Sequence, residues 1–374
     1  MTTRTLTRLA LRLRPQAAAR ATGAARRRGA PVALASGVVA FAVIQVVLTG
    51  ASLVTHGVRD PIYADKLRQM RRLEAAAPPG TPLVLLMGSS RTGNGFAASR
   101  VQAAANEAGA PAVVFNFGVP SAGPVTHLVY LRRLLADGQR PDFLILEVLP
   151  PMLAELPDGP YEKRLLKGDM LSRDEIEAVA RYDIPAAPLR ARWRDAALLP
   201  VYEHRFKLVG RFFPSAIPWG VRYDWGRSPD PNGWNVPFVD SVSDADHARL
   251  TTAAGREYGD LFRHDLPAGP TVAALRDTLA LCRAEGIPVA LVLFPEAASF
   301  RALYPPQAEA KVATFLAGLT AEFGCPVVDA RRWVPDERFS DGHHLLRTGG
   351  VIFSDRLGAE LILPFLKKNM EGRP

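Results

Sequence analysis

Four short runs are apolar on consecutive residues rather than alternate ones, interrupted only by Asn116 and Glu147: Pro82 to Met87, Ala112 to Phe117, Phe143 to Val148 and Pro288 to Phe294. A strand of that kind buries both of its faces. Segments of helical period separate them: Phe96 to Ala108, closed by Gly109, Pro124 to Ala136, and Thr271 to Glu285. The pattern continues with a helix over Gln307 to Phe323, a short strand over Pro326 to Val328 and a terminal helix from about Thr348 to Lys367. Apolar strands alternating with amphipathic helices predict an α/β fold with a parallel sheet covered on both faces. Sites in such sheets form beyond the carboxyl ends of the strands.

Six regions follow along the 374 residues. Residues 1–30 are a basic tail whose eight arginines account for all but +1 of the formal charge of +9. The high charge therefore describes a tail, and the chain has no basic stripe of the kind that reads nucleic acid. Residues 31–54 carry no charge and are long enough to cross a hydrocarbon layer as a helix. Arginine on the amino side predicts a single-pass anchor with the N-terminus cytoplasmic and the bulk of the chain extracytoplasmic, in periplasm or at the cell surface. A cleaved signal peptide is the rival reading, disfavoured by the length of the run. Residues 55–81 form a juxtamembrane helix (Asp60 to Leu73) and a Pro-Gly linker. Residues 82–149 and 270–374 are the two parts of the α/β domain.

Residues 150–269 break the rhythm and read as an insertion over the edge or the active end of the sheet. Helical pieces are expected near Arg173 to Arg181 and Arg190 to Gly210. Its tryptophans Trp193, Trp219, Trp225 and Trp234 read as a satellite core, with a lid or sugar-stacking platform as the alternative. Cys282 and Cys325 are too few for a disulfide framework and suit either one bridge or two buried thiols.

The first strand runs into Gly88-Ser89-Ser90-Arg91-Thr92-Gly93, which lacks the Gly-Lys-Ser/Thr of a phosphate loop and the spacing of a dinucleotide fingerprint. A serine held in a turn at a strand end is a nucleophile if a base reaches its Oγ; otherwise it caps a helix. Asp341-Gly342-His343-His344 offers that base. A second D-x-x-H, Asp244 to His247, falls on an exposed helix start in the insertion.

Gly88-Ser89-Ser90, Asn116-Phe117-Gly118 and Asp341-Gly342-His343-His344-Leu345, in that order, resemble the SGNH (GDSL-like) hydrolase superfamily. The anchored form with a long insertion is similar to bacterial enzymes that move acetyl groups on cell-surface polysaccharide. The resemblance implies a three-layer α/β/α flavodoxin-like fold and a triad of Ser90, His344 and Asp341, with His344 ranked above its neighbour His343. Backbone N–H groups of Ser90 and Gly118 would form the oxyanion hole. No metal or organic cofactor is implied. The substrate would be an acyl ester or a carbohydrate, with a membrane partner as acyl donor.

The superfamily's Asn after the third strand is missing; Glu147 stands in its region. The expectation is that Glu147 pairs with Arg91 or another base and braces the nucleophile turn, with Asn94 or Asn116 as a further donor. Arg301 and Tyr304 are candidates for orienting an anionic or sugar substrate, and His127 is read as structural or exposed. A catalytically inactive glycan-binding or scaffolding module is the alternative.

Overall fold

The computed structural model describes residues 23–237 and 239–371. Most of the basic tail, residues 1–22, lies outside them. Helix α1 (Gly23–Val54) contains the stretch Ala30–Val54, 25 residues of mean hydropathy 2.3, long and apolar enough to cross a membrane. The chain divides after Val47, and the second unit carries everything that follows.

That unit is built on β1 (Leu83–Gly88), β2 (Val113–Gly118), β3 (Phe143–Val148), β4 (Val289–Leu293) and β5 (Val327–Asp329). All neighbours are parallel, in the order 2-1-3-4-5. The order reverses between β1 and β3, so a crevice opens at their carboxyl ends. Successive strand residues point to opposite faces. Leu85, Met87, Phe115, Leu146 and Leu291 therefore fill one layer, while Leu86, Val114, Ile145 and Val292 fill the other.

Helices supply both covers. The chain after α1 runs through α2 (His56–Arg59), α3 (Pro61–Ala76), α4 (Ser90–Gly95), α5 (Ala98–Glu107) and α6 (Pro124–Ala136). The insertion holds α7 (Arg173–Ala180), α8 (Ala186–Leu198), α9 (Pro200–Glu203), α10 (Arg205–Phe212) and α11 (Asp244–Gly259). The last part holds α12 (Gly269–Ala284), α13 (Ala298–Arg301), α14 (Pro306–Phe323), α15 (Arg347–Leu357) and α16 (Leu363–Glu371). Helices α3, α6, α12 and α14 cover the first face, through residues such as Leu67, Leu128, Leu275 and Leu316; α5 and α15 cover the second, through Val101 and Phe353. Each fully buried Leu, Val or Phe contributes roughly 1.5–3 kcal/mol.

Three of the expected helices take a different form. The expected piece Arg190 to Gly210 is split among α8, α9 and α10, because Pro200 has no N–H to continue α8. The terminal helix is interrupted by a π turn at Gly358–Ile362, one turn before Pro364, which likewise cannot donate into the ladder. Helix α11 is a full 16 residues where only a start was expected; it buries just Ala254 and Tyr258, too few to show a period.

The insertion is tied to α6 by a buried acid. Glu162 accepts the N–H groups of Gly123, Val125 and Thr126 and so caps α6. Trp234 is buried, Trp193 packs on the core, Trp225 is half-buried and Trp219 is exposed. Cys282 and Cys325 are free, buried thiols.

Candidate active site

Gly88, Asn116 and Glu147 share one face at the ends of three adjacent strands, and α4 lies over them. A Cβ on Gly88 would overlap Thr92 Oγ1 and the Glu147 carboxylate, so only glycine fits there. Glu147 is an acid on a strand otherwise apolar, and its buried oxygens are all engaged. It accepts the Ser89 N–H at 2.7 Å, the Thr92 hydroxyl at 2.6 Å and the Ser89 hydroxyl at 3.0 Å. Arg91 Nε stands 3.7 Å from it. Ser89 Oγ in turn accepts the Arg91 N–H and caps α4. Ser90 is thus the first residue of a helix whose entry is fastened to β3.

Arg91 is 1 % exposed and ties α4 to the end of β4. It donates to the carbonyls of Phe294 and Pro295 at 3.0 and 2.9 Å and pairs with Glu296 at 3.3 Å. Burial pushes the Glu296 carboxyl up, against the pull of Arg91.

The base arrives on a closed loop. Phe339 and Leu345 form an isolated antiparallel bridge, and the Ala297 N–H donates to the Gly342 carbonyl. Gly342 has φ of 88°, a left-handed conformation that favours glycine. Asp341 Oδ1 accepts the His343 and His344 N–H groups at 3.1 and 2.7 Å, an Asx turn that aims both side chains. Asp341 Oδ2 lies 2.7 Å from His344 Nδ1, and His344 Nε2 lies 2.7 Å from Ser90 Oγ. The turns of β1 and of residues 339–345 therefore meet across 254 positions of sequence. Burial alone would raise the Asp341 carboxyl, but the charge and hydrogen bonds of His344 hold it well below the usual carboxylate range.

His343 lies beside them, its Nδ1 3.3 Å from Asp341 Oδ1 but its ring stacked on Phe300 and edge-on to Tyr258 and not reaching Ser90; burial lowers it well below its ordinary range. Asp341, His343 and His344 offer ligand atoms within 4.8 Å of one another. Both His344 nitrogens already face Asp341 and Ser90, so a cation there would have to break that chain.

A cavity of about 490 Å³ opens over Ser90 and His344. The insertion forms much of its wall through Tyr161, Arg164 and the α11 residues Leu250, Glu257 and Tyr258. Arg164 is paired with Glu257 at 3.0 Å. The second D-x-x-H falls at the far end of α11, where Asp244 is exposed.

Several expected roles are corrected. The Gly118 N–H donates to Asn116 Oδ1 at 2.9 Å and is not free for an oxyanion. Gly118 is glycine because a Cβ would overlap the Gly93 backbone of α4. Asn116 is wholly buried, its amide given to the carbonyls of Thr92 and Phe96, so it cannot serve as a donor to substrate either. Arg301 and Tyr304 do not line the cavity. Arg301 donates to the carbonyls of Glu296 and Arg331, and the Tyr304 hydroxyl to Glu296 at 2.9 Å, so both hold a loop. His127 is buried beneath Ser89 and Glu147, and burial lowers it to about 4. Asn94, one turn after Ser90 on α4, does line the cavity, with Oδ1 accepting from Arg227 at 3.3 Å. Sequence reading passed over Ser89, Thr92, Glu296 and Arg227. For the first two there was a signal: a buried strand acid needs donors, and the adjoining turn holds three hydroxyls.

No family model matches the chain, and no curated protein matches it. Fifteen chains of solved structures do. A carbohydrate acetylesterase family member from Sinorhizobium meliloti aligns at 13% identity and a TM-score of 0.33, over 76% of this chain and 99% of its own. A variant of the esterase AlinE4 aligns at 11% identity and a TM-score of 0.28, over 67% and 77%. At such scores the likeness carries no weight for function; the geometry of Ser90, His344 and Asp341 does.

Proposed function

We propose that this chain is an SGNH-type serine esterase or O-acyltransferase, held to a membrane by Ala30–Val54 with its N-terminus cytoplasmic and its α/β domain extracytoplasmic. One observation carries the reading: Ser90 Oγ, His344 and Asp341 form an unbroken hydrogen-bonded chain at the mouth of a cavity. Ser90 Oγ attacks the ester carbonyl as His344 Nε2 takes its proton. Asp341 fixes the tautomer and stabilises the charged imidazole. The alcohol leaves with that proton, and an acyl group remains on Ser90. Water or a carbohydrate hydroxyl then attacks, giving its own proton to His344, which passes it to Ser90 Oγ as the acyl–serine bond breaks and the free acid or acylated carbohydrate leaves. The Ser90 N–H, at the start of α4 with no acceptor in its own helix, and the Asn94 amide are the donors proposed for the oxyanion. In the transferase form a membrane partner supplies the acyl group.

The commitment of Gly118 and Asn116 to each other favours a second reading, a glycan-binding or scaffolding module without turnover. The two separate in one assay: an activated acetyl ester, with and without glycan acceptors, followed by product analysis. Ser90-dependent release of the alcohol is expected. Acetate alone as co-product makes the protein a hydrolase, and acetylated glycan makes it a transferase. No release above a Ser90→Ala control sinks the enzyme reading.

A further inference from the structure

Beside the cavity over Ser90 lies a second one, of about 300 Å³, walled by α3 and by the irregular segment Tyr223 to Asn235. Arg227 borders both, and also a third, smaller hollow that reaches His344. Among the described residues its one side-chain hydrogen bond is to Asn94, and no carboxylate stands within ion-pair distance of it. Burial lowers its affinity for its proton. A half-buried guanidinium without an anion is costly unless a ligand supplies one.

Lys66 faces the same space. It is 7 % exposed and donates to the carbonyls of Asn116 at 2.9 Å and Gly233 at 3.4 Å, neither of them charged. Burial first, then the repulsion of Arg227, lowers it to about 7, against the pull of Asp230. Asp230 does not border the cavity, and its Oδ1 is held by the Trp234 N–H. The two acids that do border it are already matched. Asp65 is held by Arg68 at 2.8 Å, Arg211 and Tyr223, and Asp224 by Arg222 at 2.6 Å. Two desolvated basic side chains thus line one cavity whose bordering acids are already paired.

We infer that this cavity binds an oxyanion, a carboxylate or phosphate carried by the substrate whose ester sits at Ser90, with Lys66, Arg227 and the Asn235 side chain as donors. The substrate half of the inference rests on the proposed function; the binding half does not. Arg227 links the two through Asn94, so an anionic group in one cavity orients the ester in the other. Arg301, the sequence-based candidate for an anion, is committed to backbone carbonyls and plays no part.

Two arms test this on the full chain in detergent micelles. The first titrates inorganic phosphate and, separately, acetate against thermal stability, with chloride at matched ionic strength as control. A saturable rise in Tm is expected for at least one anion, retained in Ser90→Ala, weakened about 10-fold in affinity in Arg227→Gln and less in Arg227→Lys, which keeps the charge but not the fork. Phenylglyoxal mapping of the unaltered protein needs no variant: the bound anion should protect Arg227. No saturable rise with either anion, or equal labelling of Arg227 with and without it, overturns the inference. The second arm compares paired esters that differ by one carboxylate or one phosphate, which separates the two sources. Arg227→Gln should lower the preference for the charged member about 10-fold; an unchanged preference refutes the substrate half. Absence of all turnover, with anion binding intact, refutes the function proposed for Ser90 and leaves the site.

Discussion

Glu147→Gln isolates the brace beneath the nucleophile. The substitution conserves volume, so no cavity term enters. Oε2 accepts two donors, the Ser89 N–H and the Thr92 hydroxyl, while Oε1 takes the Ser89 hydroxyl and faces Arg91. A glutamine must keep its oxygen at the Oε2 position, since an amide N–H₂ there would meet the Ser89 N–H. Its nitrogen then faces Arg91, which has nothing to accept with. Hydrogen bonds to a charged group contribute about 1.5–3 kcal/mol each against about 1 for neutral ones. Losing the charge across three bonds, plus the Arg91 contact, should cost roughly 2–4 kcal/mol, moderated because Arg91 keeps Glu296. Urea unfolding of the full chain, followed by tryptophan fluorescence, measures it. Loosening the cap should also shift Ser90, and a misplacement of about 1 Å costs on the order of 100-fold in turnover. A loss under about 0.5 kcal/mol with turnover intact would refute the brace.

Gly118→Ala should be severely destabilising, by more than about 3 kcal/mol, because its methyl would meet the Gly93 backbone, not a movable side chain; an expressed variant of ordinary Tm would contradict this. Asp341→Asn should keep the Asx turn through Oδ1 yet present N–H₂ to His344 Nδ1, leaving the proton on Nε2. Turnover should fall by on the order of 10³–10⁴ with Tm nearly unchanged; equal losses in both would make Asp341 a structural residue only. Acid should destabilise the fold between pH about 6.5 and 4. His127 and His204 are both lowered to about 4 by burial, so the unfolded chain binds more protons in that window and stability falls as pH drops. His127→Gln should flatten the slope, by up to about 1.4 kcal/mol per pH unit; an unaltered slope would show His127 already charged.

The sheet was legible because four runs are apolar on nearly every residue and a fifth, shorter one follows, and the observed strands shift from the expected ones by a residue or two at most. The two segments that the structure brings together, Ser90 at the end of β1 and Asp341 to His344 on the loop before α15, stood out in the sequence as short motifs. Gly118 was misread because a missing side chain serves two purposes alike, a free N–H and a close backbone approach, and only coordinates reveal Gly93 against it. Helix α4 was not foreseen: Ser-Arg-Thr-Gly-Asn-Gly has poor helix propensity and is held in shape by Glu147 and Gly118 from other strands. Arg227 and the wall of α11 lie in the insertion, where no period exists to place a side chain.

Fluorophosphonate labelling of the full chain, read by intact mass and peptide mapping, tests the hydrogen-bonded chain most directly. One adduct per molecule on Ser90 is expected, absent in Ser90→Ala and greatly slowed in His344→Ala. An unlabelled protein, or an adduct that persists in Ser90→Ala, would contradict the account.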